Sequence, residues 1–171
     1  MADFQPGKLF EVLSRHRVKY VLIGGVAAAS QGSPDITQDT DICYARDEEN
    51  LKRLAEALVE IEAELRGAPS GLPFKLDAKR LRMGGSFTFT STAGDVDCIG
   101  TPAGTSGYED LARSADVVTY RNSEIQVASI PDLIRMKKAA GRSKDLRHLE
   151  TLSALEEERE KPKPKPGRGG G

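Results

Sequence analysis

Residues 20–44, YVLIGGVAAASQGSPDITQDTDICY, decide how this chain folds. Tyr20-Val-Leu-Ile23 is a short apolar run that stops at Gly24-Gly25, as a buried strand does at a tight turn. Small residues dominate from Val26 to Gln31, with Gly32 and Pro34 as stop signals, so the spacing predicts a short helix opening behind the glycines. From Asp39 to Tyr44 polar and apolar residues alternate, which predicts a second strand. At a period of two, Asp39, Asp41 and Cys43 share one face, and Thr40, Ile42 and Tyr44 the other.

Working outward, Leu9, Phe10, Val12 and Leu13 stand at helical spacing within residues 8–16. Behind the second strand, Leu51, Leu54, Ala55, Leu58, Ile61 and Leu65 predict an amphipathic helix over roughly residues 47–65, followed by a turn region at Pro69 to Pro73. Phe87 to Thr90 and Val96 to Ile99, separated by Ala93-Gly94, predict an antiparallel hairpin. Next come a loop over Gly100 to Gly107, a short helix at Tyr108 to Ala112, and strands near 116–120 and 124–128. A helix behind Pro131 and a last helix from Asp145 to about Glu158 follow. The pattern predicts an α+β, mixed α/β domain over residues 1–159 with a helical C-terminus. The end, KPKPKPGRGGG, has no residues that build a core, so residues 160–171 are expected to be a disordered basic tail.

Acids and bases nearly cancel to a formal charge of −1, so no global field marks the chain as a nucleic-acid or membrane binder. No apolar run approaches the roughly 20 residues of a membrane span, and no secretion signal is visible, so the expected location is the cytoplasm. The two cysteines, Cys43 and Cys98, sit in predicted strands without partners at zinc spacing and read as small packing residues.

The chemistry lies in the carboxylates. Two acids at i and i+2 of a strand point the same way with Cα atoms roughly 6.5 to 7 Å apart, within reach of a metal pair spaced about 4 Å. Asp39 and Asp41 meet that condition. Asp97, between Val96 and Cys98, supplies a third acid able to bind metal and to accept a proton from an attacking hydroxyl. Asp95 shares its face but follows Gly94 at the strand's edge, whereas Asp97 lies in an apolar strand where a carboxylate needs a compensating cation. At Gly25 a strand gives way to a helix whose free N–H groups can receive phosphate oxygens, although glycines there also serve a simple tight turn. Lys137 can stand on a solvated helix face. The Gly100 to Gly107 loop lacks P-loop spacing, and His16 and His148 lie far from any nucleophile-elbow serine.

Ile23-Gly24-Gly25, Asp39-Thr40-Asp41-Ile42 and Val96-Asp97-Cys98 together resemble the pattern of the polymerase-β-like nucleotidyltransferases. The likeness is to small bacterial members, including toxin components of abortive-infection systems, and spans residues 18 to 150. Ile130-Pro-Asp-Leu-Ile-Arg-Met-Lys137, Ala139-Ala-Gly-Arg142 and Lys144-Asp145 are similar to a helix pair of those proteins, and by that resemblance Lys137 contacts phosphate. Thr40 departs from the apolar residue usual between the paired acids, and no Arg precedes Thr37. The resemblance implies a short mixed sheet flanked by helices, the nucleotidyltransferase fold, with Asp39, Asp41 and Asp97 as catalytic metal ligands. Gly24, Gly25 and Lys137 would hold the nucleotide.

The implied activity is transfer of a nucleoside monophosphate from a nucleoside triphosphate such as ATP to a hydroxyl, using Mg²⁺ or Mn²⁺ and releasing pyrophosphate. The expected acceptors are a tRNA or other RNA end, a protein or a small molecule. A toxin role would bring an antitoxin partner. Two other readings stand beside it: a catalytically silent nucleotide- or partner-binding module of the same fold, and an antibiotic-modifying transferase drawing on Glu109 and Asp110.

Overall fold

In the computed structural model, which describes residues 3–69, 74–143 and 145–162, one mixed seven-stranded sheet carries helices at its flanks. The apolar run Tyr20–Ile23 is β1, behind α1 (Pro6–Arg15), and α2 (Gly24–Ser30) opens directly at its end. The alternating stretch Asp39–Tyr44 is β2, followed by α3 (Glu48–Glu60), β3 (Glu64–Leu65) and α4 (Ala78–Met83). The expected hairpin is β4 (Ser86–Thr90) with β5 (Asp95–Ile99). Then come α5 (Tyr108–Ser114), β6 (Asp116–Tyr120), β7 (Ser123–Val127), α6 (Ile130–Ala140) and α7 (Asp145–Glu160).

The strand order is β3-β4-β5-β2-β1-β7-β6. β1 runs antiparallel to β2 and parallel to β7, and β2 runs parallel to β5. This register places Ile23, Asp41 and Asp97 side by side on three neighbouring strands, with Asp39 beside Asp95 one step along. Paired residues on adjacent strands project to the same face, so all four acids share one side of the sheet.

The helix expected to reach residue 65 ends earlier. Glu62 takes a left-handed φ of 53°, its N–H bonds the Val59 carbonyl, and the Ala63 N–H bonds the Leu58 carbonyl. That is a Schellman stop, and with Glu in place of the usual Gly it carries no obvious sequence signal. Freed from the helix, Leu65 becomes half of edge strand β3 instead of the last residue of a helical stripe. α4 was not expected either; Asp77 caps it by accepting from the Arg80 N–H at 2.9 Å. Of the turn region at 69–73 and the tail, residues 70–73 and 163–171 lie outside the described residues, as does Lys144.

Leu51, Leu54 and Leu58 of α3 are fully buried, along with Leu13 of α1 and Phe89 of β4. Each such side chain contributes about 1.5 to 3 kcal/mol to the fold. The start of α3 is tied to the sheet by Asn50, which is fully buried. Its carbonyl accepts from the Lys19 N–H at 2.7 Å, and its amide donates to the carbonyls of Lys19 (3.0 Å) and Ala45 (2.8 Å). Asn50→Ala leaves buried backbone groups unpaired and is expected to lower stability by about 3 kcal/mol. Urea unfolding measures this, and a loss under about 1 kcal/mol contradicts it.

Candidate active site

The sheet register brings the three expected acids together. One carboxylate oxygen from each of Asp39, Asp41 and Asp97 lies within 4.8 Å of the others. Two oxygens on one Mg²⁺ at about 2.1 Å each stand up to about 4.2 Å apart, so the cluster fits a shared divalent cation with small adjustment. Asp41 Oδ1 is buried and has no hydrogen-bond partner in the protein. An orphaned carboxylate oxygen facing two other carboxylates is the donor set a hard cation satisfies.

Each acid is fixed differently. Asp41 lies against the β1–α2 turn because Ile23 is its strand partner. A Cβ on Gly24 would stand 2.0 Å from Asp41 Oδ2, and Gly24 also adopts φ 69°, so both space and backbone conformation demand glycine. At Gly25 a Cβ would meet Thr37 at 2.7 Å. The Thr37 hydroxyl donates to Asp39 Oδ1 at 3.0 Å, so the loop before β2 orients the first acid. Asp97 accepts from Arg66 at 2.8 Å.

Lys137 faces the same cleft as the acids, Gly24 and Gly25, a space of about 340 Å³ also lined by Ser33, Thr37 and Arg142. Its Nζ donates to Asp145 Oδ1 at 3.1 Å, while Arg142 Nε donates to Asp145 Oδ2 at 3.0 Å. Asp145 is buried, and although burial pushes its pKa up, the Lys137 and Arg142 hydrogen bonds hold it below the usual carboxylate value. One buried acid thus sets two cations on the cleft wall. A second lobe of about 290 Å³ shares Gly24, Asp41 and Lys137 and continues past Ser86, Pro102 and Met136.

Sequence reasoning missed Thr37, Arg66 and the supporting role of Asp145. It also offered Asp110 as an acid for an acceptor, and the structure commits that residue elsewhere. Arg135 holds both Asp110 oxygens, at 3.0 and 3.1 Å, and the Ser106 N–H bonds one of them at 2.9 Å. Those contacts, Arg135 first, pull the Asp110 carboxyl down to about 2.

No protein-family model and no curated protein sequence matches the chain. Solved structures do resemble its fold. A lincosamide antibiotic adenylyltransferase, LnuA, bound to lincomycin, superposes with a TM-score of 0.58 at 15% identity, over 90% of this chain and 99% of that one. ANT(2'')-Ia in complex with adenylyl-2''-tobramycin gives 0.56 at 11% identity, over 90% and 87%. A provisionally named nucleotidyltransferase from Thermotoga maritima gives 0.52 at 19%, over 90% and 91%. The fold is that of the nucleotidyltransferases, as the motif resemblance implied.

Burial raises the Asp41 pKa to about 7, helped by the charges of Asp39 and Asp97 and a hydrogen bond with Asp97, and opposed by Lys137. The folded protein therefore keeps a proton that the unfolded chain releases near pH 4. Stability from this group is full below that pH and is lost as pH rises through about 7. Without divalent ions the melting temperature is expected to fall between pH 5 and 8. Added Mn²⁺ should raise it more at pH 8 than at pH 5.5, because the ion displaces the proton. In Asp41→Asn both trends should vanish, with the metal-free protein more stable than wild type at pH 8. A Mn²⁺ shift independent of pH would contradict this account.

Proposed function

We propose that this chain transfers a nucleoside monophosphate from a nucleoside triphosphate to a hydroxyl acceptor and releases pyrophosphate. The observation that carries the reading is the convergence of Asp39, Asp41 and Asp97 within 4.8 Å, beside the Gly24 turn and Lys137 in one cleft. A divalent cation held by the three carboxylates would neutralise the charge on the phosphates. Lys137 and Arg142 offer cationic hydrogen-bond donors to the phosphate chain, and the Gly24-Gly25 turn lets it approach the backbone closely. Asp97 accepts the proton of the acceptor hydroxyl as that oxygen attacks the α-phosphorus in line.

The donor fits the polar lobe, where Ser33, Thr37, Lys137 and Arg142 stand. The second lobe, with Ile23, Ile99, Pro102 and Met136 beside the Ser86 and Thr101 hydroxyls, suits a small hydroxylated acceptor. Two fold neighbours carry the names of antibiotic-modifying adenylyltransferases, which supports ATP as donor and a small molecule as acceptor over RNA or protein.

Incubation with each α-³²P-labelled triphosphate and Mg²⁺, with aminoglycosides, lincosamides, tRNA and protein as acceptors, tests this directly. Label is expected on a small molecule, and it should disappear in Asp39→Asn and Asp41→Ala, whose melting curves stay cooperative. Label on tRNA or protein would point instead to a toxin and an antitoxin partner. Triphosphate binding without transfer to any acceptor would identify a silent module and sink the enzyme reading.

A further inference from the structure

Arg66 belongs to neither motif nor cleft, yet it is the cation in contact with the third acid. Strand β3 is only Glu64–Leu65, but its pairing runs one residue further, because the Arg66 N–H bonds the Thr88 carbonyl at 2.9 Å. Thr88 is the strand partner of Asp97, and Asp97 of Asp41, so Arg66 closes a line that crosses the sheet from its edge to the acid cluster. Its guanidinium donates to Asp97 Oδ1 at 2.8 Å and to the Phe89 carbonyl at 3.0 Å. Nε stands 3.4 Å from Asp95 Oδ2.

A carboxylate at the end of a short side chain turns freely about its last torsion, and the productive geometry needs one defined oxygen toward the cluster. A guanidinium bonded to Oδ1 restricts that torsion, and its hydrogen bond to the Phe89 carbonyl and ion pair with Asp95 hold the guanidinium in turn. Arg does not lose its proton, so it takes no part in proton transfer. Among the described residues that line either lobe beside the acids, Arg66 is absent, so its influence passes through Asp97. An edge ion pair made only for stability would leave the site unchanged.

We propose that Arg66 is the positioning residue for Asp97. It turns one Asp97 oxygen to the cluster, and its charge weakens the cluster's hold on a divalent cation. The inference rests on the transferase reading and has a readout independent of it. In Arg66→Ala the rate of transfer at saturating triphosphate is expected to fall at least tenfold, part of the roughly 100-fold or more that a well-placed general base contributes. KM for the triphosphate should stay within about threefold. Mn²⁺ binding, followed by electron paramagnetic resonance, should tighten about three- to tenfold as the neighbouring positive charge is removed. Arg66→Lys keeps the charge but not the planar guanidinium whose Nη2 bonds both Asp97 and the Phe89 carbonyl, so Mn²⁺ affinity should match wild type while transfer slows less than in Arg66→Ala.

Transfer at the wild-type rate in Arg66→Ala, or weaker Mn²⁺ binding, overturns the proposal. If Arg66→Ala does not fold by circular dichroism, Arg66→Lys decides, and an unchanged rate in it overturns the proposal. Should wild type transfer to no acceptor, the transferase reading fails while the Mn²⁺ comparison still judges Arg66. A wild type that binds no Mn²⁺ overturns both.

Discussion

Three carboxylates on two neighbouring strands repel one another, and the rest of the site is arranged around that repulsion. Asp41 and Asp97 are direct partners in the β2–β5 ladder, and Asp39 sits two residues away on the same face. Among the described residues, Arg66 and Lys137, the cations nearest them, are each shared with another acid. Arg66 also faces Asp95, and Lys137 is bonded to Asp145. Burial, added to the charges of Asp39 and Asp97, raises the Asp41 pKa to about 7, so Asp41 holds a proton up to about that pH. A compact divalent cation that takes oxygen ligands would neutralise this excess of negative charge.

The backbone solves a second problem, that of bringing a polyphosphate close to acids that repel it. Gly24 removes the side chain that would collide with Asp41, and Gly25 the one that would collide with Thr37. Opposite them, α6 and α7 pack together, and Asp145, at the start of α7, draws Lys137 and Arg142 onto one wall. The helical C-terminus is thus part of the site's electrostatics. It supplies the positive side of a cleft whose floor is negative, and a metal–triphosphate complex carries charge of both signs in that order.

Much of this was legible in the sequence because it depends on short-range periodicity. Alternation over Asp39–Tyr44 put two acids on one face, and the apolar flanks of Asp97 marked it above Asp95. The apolar run into Gly24-Gly25 located the β1–α2 turn. What escaped depends on pairings between distant segments. A two-residue strand such as β3 carries no periodic signal, so nothing in its sequence placed Arg66 one strand pair away from Asp97. α3 stops at a Glu in a left-handed conformation, where turn chemistry favours Gly or Asn. Asp110 looked available as an acceptor-site acid because Arg135, its bidentate partner, lies on a helix 25 positions later.

The two lobes that meet at Asp41 and Lys137 divide the chemistry of a transfer reaction. One is lined by Ser33 and Thr37, the other by Ile23, Pro102 and Met136 with the Ser86 and Thr101 hydroxyls, and Lys137 and Arg142 line both. A phosphate chain at the junction therefore has cationic partners on either side, while Pro102 and Met136 give an uncharged ring system apolar contact only in the second. Asp41 stands at the junction, with Asp39 and Asp97 on the side of the first lobe, so in the proposed transfer a reacting phosphorus and an attacking oxygen would meet beside Asp41. Under that proposal, specificity for donor and acceptor would reside in the residues each lobe has to itself, and Asp41, Lys137 and Arg142 would serve both.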